Sequence, residues 1–126
     1  MIRRFVVQEH TTPEGVHWDL MLEKGDALVT FRLEQPPQVV LDHPVRATRI
    51  FDHSLRFLTY EGPVQQGTGK VRIVERGTCR LLAEADDIIT MHLQGETLQG
   101  GFTLARPTGE KGTSYFLAHR QIPGDK

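Results

Sequence analysis

Apolar and polar residues alternate along most of this chain with a period of two, the pattern of strands buried on one face. From Arg4 to His10, Phe5 and Val7 fall on one face and Val6 and Gln8 on the other. From His17 to Glu23, Trp18, Leu20 and Leu22 point one way and His17, Asp19 and Met21 the other. A Lys24-Gly25-Asp26 turn leads into a strand over Ala27 to Leu33, which Pro36 and Pro37 stop because proline cannot donate to a ladder. Val39 to Pro44 reads as a loop or short helical turn. Val45 to Phe51 returns to strand and ends at Asp52-His53, and Ser54 to Glu61 reads as a short strand or a bend. Gly62-Pro63, Gly67 and Gly69 mark a loop. Lys70 to Glu75 follows as a strand with Lys70 and Arg72 on one face, and Gly77 separates it from another over Thr78 to Leu82. Ile88 to Leu93, Leu98 to Ala105 and Ser114 to His119 complete the series, with a polar loop over Pro107 to Gly112 and a frayed tail at Gly124-Asp125-Lys126. About nine or ten short strands with no amphipathic helix predict an all-β fold: a small antiparallel β-barrel or sandwich with short turns, forming a single domain over 1–126.

The first two strands concentrate the chemistry. Pro13 and Gly15 mark a turn between them. His17 and Asp19 share a strand face, and a hairpin would bring His10 back to both. Two imidazoles and a carboxylate on one point make a metal or phosphate-handling site; such a donor set suits manganese, zinc or iron. Asp52-His53 reads either as a turn in which Asp52 bonds nearby amides, or as a phosphate donor or general acid. His43, His92 and His119 carry no such pattern.

Lys and Arg number 15 against 16 Asp and Glu, for a net charge of −1, which excludes coating of nucleic acid by bulk charge. Local basic positions remain: Arg46, Arg49, Arg56, Lys70, Arg72, Arg76 and Arg80 gather in the middle of the chain. They read as a solvated sheet face or as contacts to a nucleic-acid backbone. Few exposed aromatics interleave with them, which argues against a single-strand stacking platform. The one cysteine, Cys79, excludes an internal disulfide and cysteine-ligated zinc, and its strand setting predicts a buried thiol. No apolar run reaches membrane-spanning length, and Met1-Ile2-Arg3-Arg4 leads straight into a strand with no signal-peptide pattern. The expected location is therefore cytoplasmic, with no membrane partner.

Taken together, several segments resemble the 3′-phosphoesterase domain of bacterial DNA ligase D. In order they are Phe5-Val6-Val7-Gln8-Glu9-His10, His17-Trp18-Asp19, Asp52-His53-Ser54-Leu55, Tyr60-Glu61-Gly62, the run Gly67 to Gly77, and Leu93 to Leu104. The resemblance implies a β-barrel with its site in a concave crater and a bound divalent metal, typically manganese. It implies removal of a 3′-terminal ribonucleoside and then a 3′-phosphate from DNA, leaving a ligatable hydroxyl. It places the metal ligands on His10, His17 and Asp19, and a phosphate-contacting histidine on His53. It also implies DNA 3′ ends as partners, within an end-joining setting of ligase and polymerase.

The chain departs from that family pattern. His-Tyr-Asp-Phe-Arg reads His17-Trp18-Asp19-Leu20-Met21, so the arginine that grips the phosphate is Met21. A tyrosine becomes Phe57, and the lysine of a Val-Pro-Lys-Gly segment becomes Gln35. A further arginine falls near Val45, for which Arg46 or Arg49 is the available replacement. The loop between His10 and His17 is one residue longer. Each lost charge-assisted contact removes a few kcal/mol of transition-state stabilisation. Three function classes follow: a 3′-end phosphoesterase of weak or redirected activity, a catalytically silent binding module of a repair assembly, or a different metal-dependent enzyme on a small barrel.

Overall fold

A computed structural model describes residues 2–107, 109 and 112–120. The tail Gly124-Asp125-Lys126 and part of the Pro107–Gly112 loop lie outside the described residues. The described residues contain nine strands: β1 (Ile2–Thr12), β2 (Gly15–Lys24), β3 (Ala27–Leu33), β4 (Val45–Ser54), β5 (Gly62–Val64), β6 (Gly69–Glu84), β7 (Ile88–Gln94), β8 (Gln99–Ala105) and β9 (Ser114–Arg120). Every pairing is antiparallel, in the order β1-β2-β3-β4-β9-β8-β7-β6-β5. An extra pairing of β1 with β6 joins the ends and closes eight strands into a ring, with β5 on the free edge of β6. The fold is thus an all-β barrel, as the alternation predicts, and closure removes the exposed edges that an open sheet would leave.

The ring interior is filled. Phe5, Val7, Leu20, Leu22, Phe31 and Leu33 meet Met91, Leu93, Phe102, Leu104 and Leu117 there, all within one buried cluster. Cys79 lies in the same cluster as a free, buried thiol, and burial pushes its pKa up to about 11. The opposite face of β1–β3 carries a second, smaller cluster of Val6, Met21 and Leu28 under Leu58. Strand alternation puts Gln8 and His10, Asp19 and His17, and Thr30 and Arg32 on that same outer face. The main core therefore fixes the strands from within, and the polar chemistry sits outside the barrel wall.

Two local departures from the sequence reading have physical causes. The break expected at Gly77 is absent, and β6 runs unbroken from Gly69 to Glu84. A Cβ at Gly77 would lie 2.0 Å from the Gln94 carbonyl oxygen, so this glycine marks a close backbone approach to the end of β7 rather than a turn. Ser54–Glu61 holds a 3₁₀ turn over Leu55–Leu58, capped by Ser54, whose hydroxyl accepts from Arg56 N. Nearby, Gly62–Val64, expected as loop, forms the short strand β5.

A buried carboxylate ties down the far end of the barrel. Glu75 is 2% exposed. Its Oε1 accepts from Arg76 N and Glu96 N, and its Oε2 from Thr97 N and Leu98 N. Three of these donors belong to the tight β7–β8 turn, whose amides have too few strand partners of their own, and the fourth, Arg76 N, belongs to β6.

Candidate metal centre

The β1–β2 hairpin builds the centre. Thr12 pairs with Gly15 across a two-residue Pro13-Glu14 turn, and the Thr12 hydroxyl accepts from Glu14 N at 3.2 Å. Counting back from that turn pairs His10 directly with His17 and Gln8 with Asp19. The hairpin therefore delivers His10 beside His17, with Asp19 two residues along the same face. One ligand atom from each of the three lies within 4.8 Å of the others. Asp19 Oδ2 is 3.5 Å from His17 Nε2 and 3.9 Å from His10 Nδ1, and the two imidazoles meet edge to face at 4.6 Å.

The donor set fits a divalent cation. Asp19 is 2% exposed and His10 7%. His17 Nε2, the nitrogen that faces Asp19, is buried without a hydrogen-bond partner among the described residues, which is costly for a polar nitrogen unless something completes it. Burial pushes the His10 pKa down, with the charges of His17 and Arg32 acting the same way against Asp19. A depressed pKa keeps the imidazole neutral, the form that ligates a metal.

His53 arrives from β4, beside a bulge. Leu28 pairs with His53 and Thr30 with Ile50, so β4 carries one extra residue there. His53 Nδ1 lies 3.0 Å from Thr30 Oγ1 and 3.1 Å from the Phe51 carbonyl. Thr30 Oγ1 donates its own proton to the Leu28 carbonyl. Both neighbours of Nδ1 must therefore accept, which places the proton on Nδ1. Nε2 is left to take a proton or, in the charged ring, to give one.

An open cavity of about 460 Å³ joins His53 to His10 and Asp19, within the usual range of small-ligand sites, and His17 lines an adjoining hollow. His10, Asp19, Arg32, His53 and Gln65 supply polar lining, and Met21, Phe51, Phe57, Val64 and Val71 the apolar walls. Gln8 is fully buried and lines the floor; its Nε2 donates to the carbonyls of Phe57 and Tyr60, so it holds the 3₁₀ segment that roofs the cavity.

Arg32 is the residue that sequence reading missed. It pairs with Asp19 across β2–β3, and its Nε lies 3.4 Å from Asp19 Oδ1. Its side chain is 40% exposed and lines both this cavity and an adjoining hollow beside His17. The signal was available, because counting outward from the Gly25-Asp26 turn sets Arg32 opposite Asp19.

The other sequence-predicted residues stand elsewhere. Asp52 is half-exposed, lies 3.8 Å from Arg49, and does not line the cavity. Arg49 opens onto a separate hollow with Lys24 and Glu84. Arg46 is held by Ser114, Glu34 and the Phe116 ring. Arg72 pairs with Glu9 at 3.1 Å. Lys70 and Arg76 are exposed on β6 and do not line the cavity.

The fold and the cluster define an all-β barrel domain with a two-histidine, one-carboxylate centre on its outer wall. The family model for the DNA ligase D 3′-phosphoesterase domain matches residues 8–106, and the chain belongs to that family. The multifunctional non-homologous end joining protein LigD of Mycobacterium bovis is 32% identical over 125 residues, which cover 92% of this chain and 16% of that protein. The multifunctional non-homologous end joining DNA repair protein LigD of Mycobacterium tuberculosis matches to the same extent. The LigD protein of Mycolicibacterium smegmatis is 28% identical over 134 residues, covering 93% of this chain and 16% of its own length. The chain thus corresponds to about one sixth of these relatives. Among the described residues no helix is long and apolar enough to cross a membrane.

Proposed function

We propose that this domain is a metal-dependent phosphoesterase that trims DNA 3′ ends, removing a terminal ribonucleoside or a 3′-phosphate. The observation that carries the reading is the convergence of His10, Asp19, Arg32 and His53 on one cavity, with His17 completing the trio from the adjoining hollow. His10, His17 and Asp19 would hold a divalent cation, manganese on the family resemblance, with zinc also compatible with the donors. When bound, the metal supplies Lewis acidity towards a phosphate oxygen and lowers the pKa of a coordinated water. Arg32 offsets phosphate charge from the neighbouring strand. His53, with its proton fixed on Nδ1, bonds the phosphate through Nε2 or, when charged, protonates the leaving oxygen as water adds to phosphorus and the phosphorus–oxygen bond breaks, the ribonucleoside's 5′ oxygen in one cut and the strand's 3′ oxygen in the other. Ribonucleoside removal releases the nucleoside and leaves a 3′-phosphate, and 3′-phosphate removal releases inorganic phosphate and leaves a 3′-hydroxyl. Lys70, Arg72 and Arg76 take backbone phosphates farther along the DNA, as do Arg46 and Arg49; Arg72 and Arg49 do so by exchanging Glu9 and Asp52 for phosphate.

The test is processing of a primer–template ending in a ribonucleotide or a 3′-phosphate, with manganese present. Wild type should act, and His17→Ala and His53→Ala should not. Arg32→Gln should lose on the order of 100-fold in kcat/KM, the scale of one preorganised charge contact. Absence of wild-type turnover on both ends would remove the enzymatic reading. One observation favours the second reading, a silent DNA- or protein-binding module: Met21 and Phe57 give the cavity only apolar surface where the family pattern has polar groups. In that case His53→Ala keeps full DNA binding.

A further inference from the structure

We infer that Phe51 is a stacking platform that caps the terminal nucleobase of the DNA 3′ end. The inference rests on the site reading above and extends it from the phosphate to the base. Phe51 is 74% exposed, the most exposed large hydrophobic residue and the one exposed aromatic among the described residues. The others, such as Ile2, Leu82 and Val16, do not line the cavity shared by His10, Asp19 and His53, whereas Phe51 does. Its ring stacks on His53, with centroids 4.8 Å apart and planes 8° from parallel. The imidazole covers one face, so the exposure falls on the other face and the edges. His53 is itself held edge-on by Phe57 at 5.6 Å and by its two Nδ1 contacts, so the platform is rigid. The bulge on β4 sets this pair beside the centre.

The arrangement matches the shape of a strand terminus. A phosphate between His53 and the trio lies at one end of the last nucleotide, and the base of that nucleotide has one face on its neighbour and one open. A flat, rigid ring at the cavity rim covers the open face. Every base has a π-face, so such a contact favours a base-bearing end without reading sequence.

The test compares two recessed primer–templates, both ending in a 3′-phosphate. One carries a normal terminal base and the other an abasic tetrahydrofuran at that position. Binding is followed by fluorescence anisotropy in chelator, so no turnover intervenes. Wild type should bind the base-bearing end more tightly, on the order of five- to hundredfold, the range for one base on one aromatic ring. Phe51→Ala should bind both ends alike, at the affinity of wild type for the abasic end, and Phe51→Trp should restore the preference. Equal binding of both ends by wild type overturns the inference, as does an undiminished preference in Phe51→Ala. Binding of neither DNA overturns it together with the site reading. A base preference in wild type that processes neither end removes only the enzymatic reading and leaves the stacking contact standing.

Discussion

Replacing Asp19 with asparagine separates metal binding from folding. The side chain is buried between two imidazoles and Arg32, and the change removes one charge while keeping the shape. In chelator, the loss is the 3.4 Å contact to Arg32, whose side chain is 40% exposed and finds water instead. That is a cost of about 1 kcal/mol or less. A chain of 126 residues unfolds with an entropy of about 0.26 kcal/mol/K near its midpoint, so the melting temperature falls by about 4 °C at most. With manganese at 100 times its dissociation constant, wild type gains about 2.7 kcal/mol, or about 10 °C. Asparagine is a poor substitute for a carboxylate ligand and weakens binding on the order of 100-fold or more. At the same manganese concentration the gain then shrinks to about 0.4 kcal/mol, or under about 2 °C. The assay is a set of thermal melts with chelator and with rising manganese or zinc. A wild type whose midpoint ignores both metals would refute the assignment of the trio, and so would an Asp19→Asn variant that keeps the full shift.

Glu75→Gln turns an amide N–H₂ towards two of the four backbone donors, and should cost about 3 kcal/mol or more. Read by thermal denaturation, that is a fall of about 11 °C. Because the folded-state pKa of His10 lies below the ordinary 6.5, the unfolded chain binds a proton there that the folded chain refuses. Stability in chelator should therefore fall as pH drops from about 6.5 towards the folded-state value, and His10→Gln should flatten that slope in pH-dependent melts. Glu23 has the opposite sign. Its hydrogen bonds to Arg4 hold its pKa down at about 2, so its contribution persists above about 4.5 and is lost as pH falls towards 2, a loss absent in Glu23→Gln.

How legible each feature is depends on how local its cause is. The hairpin carrying His10, His17 and Asp19 can be read from sequence because two alternating segments flank a two-residue turn, and that turn fixes the register. Barrel closure was visible only as a count of strands. The pairing of β1 with β6 joins residues from Thr11 and Lys70 to Ile2 and Arg80, far apart in the chain, and nothing in either segment names the other. Gly77 misled for the same reason: its meaning is the Gln94 carbonyl across the sheet, a neighbour that local pattern does not contain. The tautomer of His53 is equally hidden, since it depends on Thr30 giving its proton to Leu28.

Arg32 shows why site residues are poorly counted position by position. Measured against the family pattern, Met21 is a lost guanidinium. In the fold, Met21 pairs with Thr30 and Asp19 with Arg32, so Arg32 is the diagonal neighbour of Met21 on the same outer face. Diagonal neighbours across an antiparallel pair lie about 7–8 Å apart at their backbones, well within the reach of an arginine side chain. A charge can therefore leave one strand and reappear on the next without leaving the cavity. Both residues line the cavity, Met21 as wall and Arg32 as its cation. In the proposed function, the change from the family pattern at Met21 is then a relocation of phosphate-binding charge, and the Arg32 contact with Asp19 ties that charge to the metal ligands themselves.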